Sequence, residues 1–350
     1  MRIAEACRSQ AEACGSLGSP MYADLLNQVA VAVEAGEGDG EVLTMVLAGH
    51  EDDPGPSALA LRLLGSVHRV VLERRAGALA TFYPSVGGTW EPEDGWRAFL
   101  DLLAEQPDAV REWLDRPPQT NEVGRSAAFL GGLLHLERGL PLRLMEIGAS
   151  GGLNLLCDRY GYIPEHGLPV GPADPGAPVL HDAWTGRSLE PWPKMRVVER
   201  RGCDPRPVDV VTTEGRLALT AYVWPDQPAR HERLRAAFAV ARRTPVEVER
   251  ASAAEFVDAL ALQPGTTTVL MHSVVWQYLS ALEQAQVEAR LEALGAQAGA
   301  DQRLAHLRAE PWRRTPGAAH DFWVRLRTWP GGEDRVLGLM APHGPPVAWE

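Results

Sequence analysis

The chain has 350 residues, 45% of them hydrophobic, with 34 basic and 46 acidic side chains and a formal net charge of −12. That length and apolar content supply a core for one large domain or two ordinary ones and exclude the disordered and fibrous classes. The acidic balance disfavours nucleic acid as a partner, and without an apolar run of roughly 20 residues or a signal-like apolar segment the expectation is a cytoplasmic protein with no membrane contact.

The first 140 residues read as a helical domain. "SALALRLLGSVHRVVLERR", a helix from Ser57 to Arg74, places Leu59, Leu63, Val67, Val70 and Val71 on one face, with His68 and Arg69 at its edge. "GWRAFLDLLAEQ" repeats the pattern with Trp96, Phe99, Leu100 and Leu103. "NEVGRSAAFLGGLLHLERG" repeats it with Val123, Ala127, Leu130 and Leu134 behind Asn121 as N-cap. No alternating strand precedes Arg143.

Beyond Pro141 strands and helices alternate. Leu142 to Ile147 is a buried-type strand, and a helix begins over Gly151 to Arg159. Tyr160 to Met195, rich in proline and glycine, reads as an inserted hairpin or lid. A helix follows from about Pro228 to Arg243, then a strand at "PVEVER", a helix at "SAAEFVDALAL" and a strong apolar strand at "TTTVLMHSVVW". Leu282 to Leu294 is helical, "RLAHLRA" is strand-like, and "FWVRLRTW-PGGED-RVLGLM" is an antiparallel hairpin. The fold class is therefore α/β: a mostly parallel sheet over residues 141–350 with a terminal antiparallel hairpin, preceded by a helical domain over 1–140.

The cysteines Cys7, Cys14, Cys157 and Cys203 lack metal-ligand or disulfide spacing, so no metal site is expected. Lys194 is the one lysine, which reads as genome composition.

The turn "Gly148-Ala149-Ser150-Gly151-Gly152" admits two readings. As a nucleophile elbow it makes Ser150 a hydrolase nucleophile, with His272 or His320 as base and Asp209 or Asp258 as orienter. Against this stand the 140 helical residues ahead of it and the lack of an oxyanion loop. As a cofactor turn it lets a nucleoside-bearing ligand approach the end of the first strand, where glycines remove side chains and a helix start offers N–H groups. Glu146-Ile-Gly148-Ala-Ser150-Gly-Gly152 resembles the first motif of class I S-adenosylmethionine-dependent methyltransferases, with serine at the central glycine. Their sheet, a Rossmann-like one, also ends in an antiparallel hairpin.

That resemblance implies S-adenosylmethionine as cofactor. Glu146 would hold its amino group; Gly148, Ser150, Gly152 and Asn154 would form the turn; Asp204 would bind the ribose hydroxyls; and Ser252 would stand where the family usually carries an acid. "MHSVVWQYL" follows a strong strand, where this fold puts substrate-facing groups. His272 is a candidate base there, Trp276 and Tyr278 candidate sulfonium-facing aromatics, and Gln277 a substrate contact.

Longer stretches, "ATFYPSVGGTW", "QTNEVGRSAAFLGGL", "LMEIGASGGLNLLCDRYGY", "RRGCDPRPVDV", "VWPDQPAR" and "VLMHSVVWQYL", resemble a bacterial family, domain of unknown function 2332, from about Ala58 to Pro342. This family carries no established reaction. It directs attention to Tyr83, Ser85 and Gly87-Gly88, and to Asn121, Glu122 and Arg125, the last placed to pair with a carboxylate of substrate or cofactor. Trp224, Asp226, Gln227 and Arg230 form either a site or a loop with an N-cap. The expected activity is methyl transfer to a small molecule, with the helical domain as part of a lid and a homodimer possible. The alternatives are a catalytically silent binding protein and the Ser150 hydrolase.

Overall fold

The switch from helices to strands falls at Leu142. The computed structural model describes residues 3–53, 58–116, 118–172 and 175–350. In chain order the helices are α1 (Ile3–Ser16), α2 (Pro20–Ala35), α3 (Asp39–Leu47), α4 (Leu59–Leu72), α5 (Pro92–Glu105), α6 (Pro107–Leu114) and α7 (Ser126–Leu133). After them come α8 (Thr213–Ala221), α9 (Pro228–Arg243), α10 (Ala253–Asp258) and α11 (Ala281–Gly295). The strands are β1 (Leu142–Ile147), β2 (Gly161–Tyr162), β3 (Val179–Leu180), β4 (Trp184–Gly186), β5 (Val197–Asp204) and β6 (Glu247–Arg250). They continue with β7 (Thr266–Ser273), β8 (Gln302–Trp312), β9 (Asp321–Trp329), β10 (Glu333–Ala341) and β11 (Gly344–Trp349).

Two compact units result. One comprises Met1–Thr120 with Thr212–Glu232, the other Asn121–Val211 with Arg233–Glu350. The boundary thus lies twenty residues before the composition change at 140, and a distant segment returns to the helical unit.

That return explains a difference in α4. The expected start at Ser57 lies outside the described residues, and the stripe of Leu59, Leu63, Val67, Val70 and Val71 is buried as its period requires. His68 and Arg69, expected at the edge, are buried too, because α8 covers the opposite face. Gly65 makes room: a Cβ there would lie 2.6 Å from Cε1 of Tyr222. His68 Nδ1 contacts the Ala221 carbonyl at 3.0 Å and Nε2 the Ser85 hydroxyl at 2.8 Å. Burial pushes its pKa down to about 3. Arg69 pairs with Glu73 and Glu214 and lies over the Trp113 ring.

Asp226 accepts from Ser19 Oγ at 2.6 Å and Met21 N at 3.0 Å, and so reinforces the Ser19 N-cap of α2. Gln227 donates to the Leu17 carbonyl and Arg230 to Gln227. The segment, expected as a site or a loop with an N-cap for the helix that follows, instead sends Asp226 and Gln227 to the start of α2.

In the second unit one sheet has the order β4-β11-β10-β9-β8-β7-β1-β5-β6. The run β6-β5-β1-β7-β8 is parallel throughout. β8, β9, β10 and β11 then pair antiparallel, and β4 adds parallel to β11. β1 and β7 are buried at every position, as central parallel strands covered on both faces must be.

Two details depart from expectation. In Tyr160–Met195, expected as an inserted hairpin or lid, antiparallel pairing among the described residues is limited to one bridge between Tyr162 and Val170. There β2 pairs parallel with β3, and β4 joins the main sheet as its edge strand. Trp184 secures that edge by donating to the Ala127 carbonyl at 2.9 Å and stacking on Tyr162 at 5.3 Å. And Leu153–Arg159 forms a 3₁₀ helix rather than the start of an α-helix.

Candidate functional site

In the parallel run the first strand, β1, has β5 on one side and β7 on the other, so the direction of winding reverses between β1 and β7. In such sheets ligands bind outside the carboxyl ends of the strands at that reversal. Glu146, Gly148, Ser150, Gly152, Asn154 and Asp204 come together there. Asp204 ends β5 and ties down the turn: its carboxylate accepts from Ser150 N at 3.0 Å and Arg206 N at 2.8 Å. Ala149 N donates to the Cys203 carbonyl and Val208 N to the Ser150 carbonyl, both at about 3 Å.

The turn needs left-handed backbone at Gly148 (φ 63°), Ser150 (φ 53°) and Gly152 (φ 72°). Glycine adopts this freely; serine at the centre is strained. The clearances the glycines leave are filled by the chain itself. A Cβ on Gly148 would lie 2.3 Å from Val275 Cγ2, and one on Gly152 2.6 Å from Val246 Cγ2. The room opposite both glycines is thus taken by valines.

Glu146 is 2% exposed. Its Oε2 has no hydrogen-bond partner among the described residues. Burial, and then the charge of Asp204, holds its pKa well above the ordinary value, while the Asn154 amide and Arg125 act the other way. Asn154 Oδ1 is likewise buried without a partner.

Asn121 does not cap a helix. Its Oδ1 accepts from Leu153 N at 2.9 Å, because the 3₁₀ turn Val123–Arg125 intervenes before α7 and the side chain reaches the glycine turn instead. Glu122 caps that 3₁₀ turn through Gly124 N at 3.0 Å, and Arg125 Nε contacts the Pro342 carbonyl at 3.3 Å.

β7 ends in a second cluster. His272 is fully buried, with Nδ1 2.7 Å from Glu310 Oε1 and Nε2 3.0 Å from His306 Nε2. The same Glu310 oxygen accepts from Val275 N at 3.0 Å and Trp276 N at 3.4 Å, and Trp276 stacks on the His272 ring at 5.2 Å. With the carboxylate ionised, His272 donates from Nδ1 and accepts at Nε2 from His306. Burial keeps His306 neutral, its pKa well below the ordinary value. Val274, a β-branched residue at φ 54°, marks this turn as strained.

A family described as "uncharacterized protein conserved in bacteria", domain of unknown function 2332, matches residues 4–349. The chain belongs to this family. Searches of curated proteins and of solved structures each found no match.

In this member of the family the remaining candidates lie apart from the turn or in structural roles. Ser252 is an N-cap in a reciprocal capping box with Glu255 at the start of α10. Gln277 and Tyr278 are exposed, Tyr278 by 53%. Tyr83 belongs to the helical unit, fully buried 5.7 Å from the His68 ring. Ser150 is 5% exposed, and both ring nitrogens of His272 are engaged elsewhere. His320 bonds Arg313 at 2.9 Å on the surface. Glu310 and His306 were missed in sequence. A histidine and a glutamate four residues apart, on a strand, face the same side by its period of two. That pair was the available signal. No group of three or more residues suited to hold a metal occurs among the described residues, and none of the helices described is long and apolar enough to cross a membrane.

Proposed function

We propose that the second unit is Rossmann-like and binds S-adenosylmethionine at the carboxyl ends of β1 and β5, and that the protein methylates a small molecule. The observation that carries this reading is Glu146. A buried carboxyl with an orphaned oxygen lies in the field of Asp204, and the charge of Arg125 offsets burial and that field only in part. A ligand with an ammonium and a sulfonium supplies further positive charge, whereas the anionic pyrophosphate of a dinucleotide adds repulsion. Asp204 retains acceptor capacity beyond its two backbone donors, which suits a pair of ribose hydroxyls. Arg125, whose charge reaches Glu146, suits the carboxylate of the methionine moiety.

The fit is partial, because Val275, Val246 and Val248 fill the space next to the glycines. Such a ligand would rest against these valines rather than against the glycine backbone.

The cofactor would bring an activated methyl group; the protein's contribution is alignment and exclusion of water. His272 enters this reading as a residue that positions Trp276 and the Val274–Val275 turn, since neither ring nitrogen is open to a substrate. A silent binding protein would share the same ligand site and lack turnover. The Ser150 hydrolase loses support, because the ring nitrogens of its candidate base His272 contact Glu310 and His306.

The test is calorimetry on the full chain with S-adenosylmethionine and S-adenosylhomocysteine. The expected result is micromolar binding, weaker for the uncharged thioether, and reduced about tenfold or more in Glu146→Gln, the scale of a lost charged hydrogen bond. Absence of heat with both ligands overturns the reading.

A further inference from the structure

The parallel pairing of β1 with β5 brings the loops that enter them to one end of the sheet, opposite the glycine turn. Residues 138–141 lead into β1 and residues 192–196 into β5, and Leu142 N bonds the Arg196 carbonyl at 2.8 Å. Gly139, at φ 116°, bends the first loop. A hydrogen bond of 3.0 Å from Met195 N to the Trp192 carbonyl closes the second into a turn with Pro193 and Lys194 at its centre. Between the loops lies a half-open cleft of about 460 Å³, inside the range of small-molecule sites.

Arg138, Lys194 and Arg196 line this cleft, with Trp192 beside them, and among the described residues none of those lining it is acidic. In a chain of net charge −12 a site with three cations is a local reversal. Nearby carboxylates do little to offset it. Glu190, 89% exposed, is 3.5 Å from Arg138, and Glu137 is paired with Arg303 at 2.7 Å. The chain's one lysine, otherwise a matter of composition, stands here.

We infer that this cleft is an anion site, separate from the carboxyl-end site, for a phosphorylated molecule carrying a planar ring, of the nucleoside diphosphate class. The arginine forks and the lysine take the phosphates, and the Trp192 face takes the ring.

The test uses the full chain and pyridoxal 5′-phosphate, whose aldehyde condenses with a free amine with loss of water; borohydride then fixes the adduct. Because Lys194 is the only lysine, peptide mapping compares one ε-amine with the α-amine. Undirected labelling favours the α-amine, which has the lower ordinary pKa. The expected result is preferential labelling of Lys194, with ADP protecting at concentrations at least tenfold below adenosine. Arg138→Ala and Arg196→Ala each weaken ADP protection about tenfold, and Trp192→Ala weakens protection by ADP but not by inorganic pyrophosphate. Labelling of Lys194 no greater than the α-amine, or equal protection by adenosine and ADP, overturns the inference. S-adenosylmethionine is expected to leave the labelling unchanged, so the outcome is independent of the methyltransferase reading.

Discussion

Two turns leave the second unit's sheet side by side, after β1 and after β7, and each has a buried acid close by. Glu310 serves the β7 turn with one oxygen that meets His272, Val275 N and Trp276 N. Glu146, at the β1 turn, has an oxygen that meets nothing among the described residues. The residues are alike in chemistry and burial, and the Oε2 of each is buried without a partner among the described residues; they differ in that Glu310 gathers three donors of its own turn, while Glu146 is bonded by the Asn154 amide. A buried polar atom that the fold does not satisfy is costly, and each of the two acids carries one.

The comparison is open to mutation, and the largest effect is expected at Glu310. Glu310→Ala strands one buried and two half-buried donors and should cost about 3–5 kcal/mol in urea unfolding. Glu310→Gln, which keeps an acceptor oxygen, should cost less. A loss below about 1 kcal/mol for the alanine variant would end the view of Glu310 as the clamp of the β7 turn.

Gly148→Ala comes next. Its Cβ would strike Val275 and its φ is 63°, so a loss of about 2–4 kcal/mol is expected. In a Val275→Ala background the loss should shrink, which would show that the two turns are packed on each other; an unchanged loss would assign all of it to backbone strain.

Glu146→Gln should act in the opposite direction and raise the stability of the ligand-free protein at neutral pH. The folded-state pKa of Glu146 lies above the ordinary 4.5. Below pH about 4.5 both folded and unfolded chains carry the proton, and the variant gains nothing. As pH rises above that value the unfolded chain ionises while the folded chain holds its proton, so wild type loses stability relative to the variant. Denaturation midpoints of the two proteins that stay parallel from pH 4 to 8 would contradict this.

The smallest effect is expected at Ser252. Ser252→Ala removes an N-cap and should cost about 1 kcal/mol while leaving affinity for S-adenosylmethionine unchanged. A tenfold drop in affinity would return Ser252 to the ligand site.

Much of the chain from Leu142 onward was legible residue by residue. The strand at Leu142–Ile147, the helix at Pro228–Arg243 and the hairpin after Asp321 follow from apolar runs, helical period and a Pro-Gly-Gly turn. Where periodicity was absent, legibility failed. Thr213–Ala221 offers a weak pattern of small residues, and it forms α8 by covering α4, more than 140 residues away in sequence. β4 is three residues long, and β11 contains two prolines; each is a strand by virtue of an edge that was already there to receive it.

The candidate site divides the same way. The sequence by itself determined that Gly148–Gly152 follows a buried strand and that Glu146 precedes it, because a turn of that composition has few other uses. Only the tertiary structure decided how each charge is balanced. Arg143, on the same strand as Glu146, finds Glu199, the Ala261 carbonyl and Thr268. Those partners lie 56, 118 and 125 residues away. His272, a candidate base in the sequence, is tied to Glu310 and His306, 38 and 34 residues away. Periodicity reports which side of an element faces the core; which donor meets which acceptor inside the core depends on register between strands distant in sequence, and that is set when the sheet assembles.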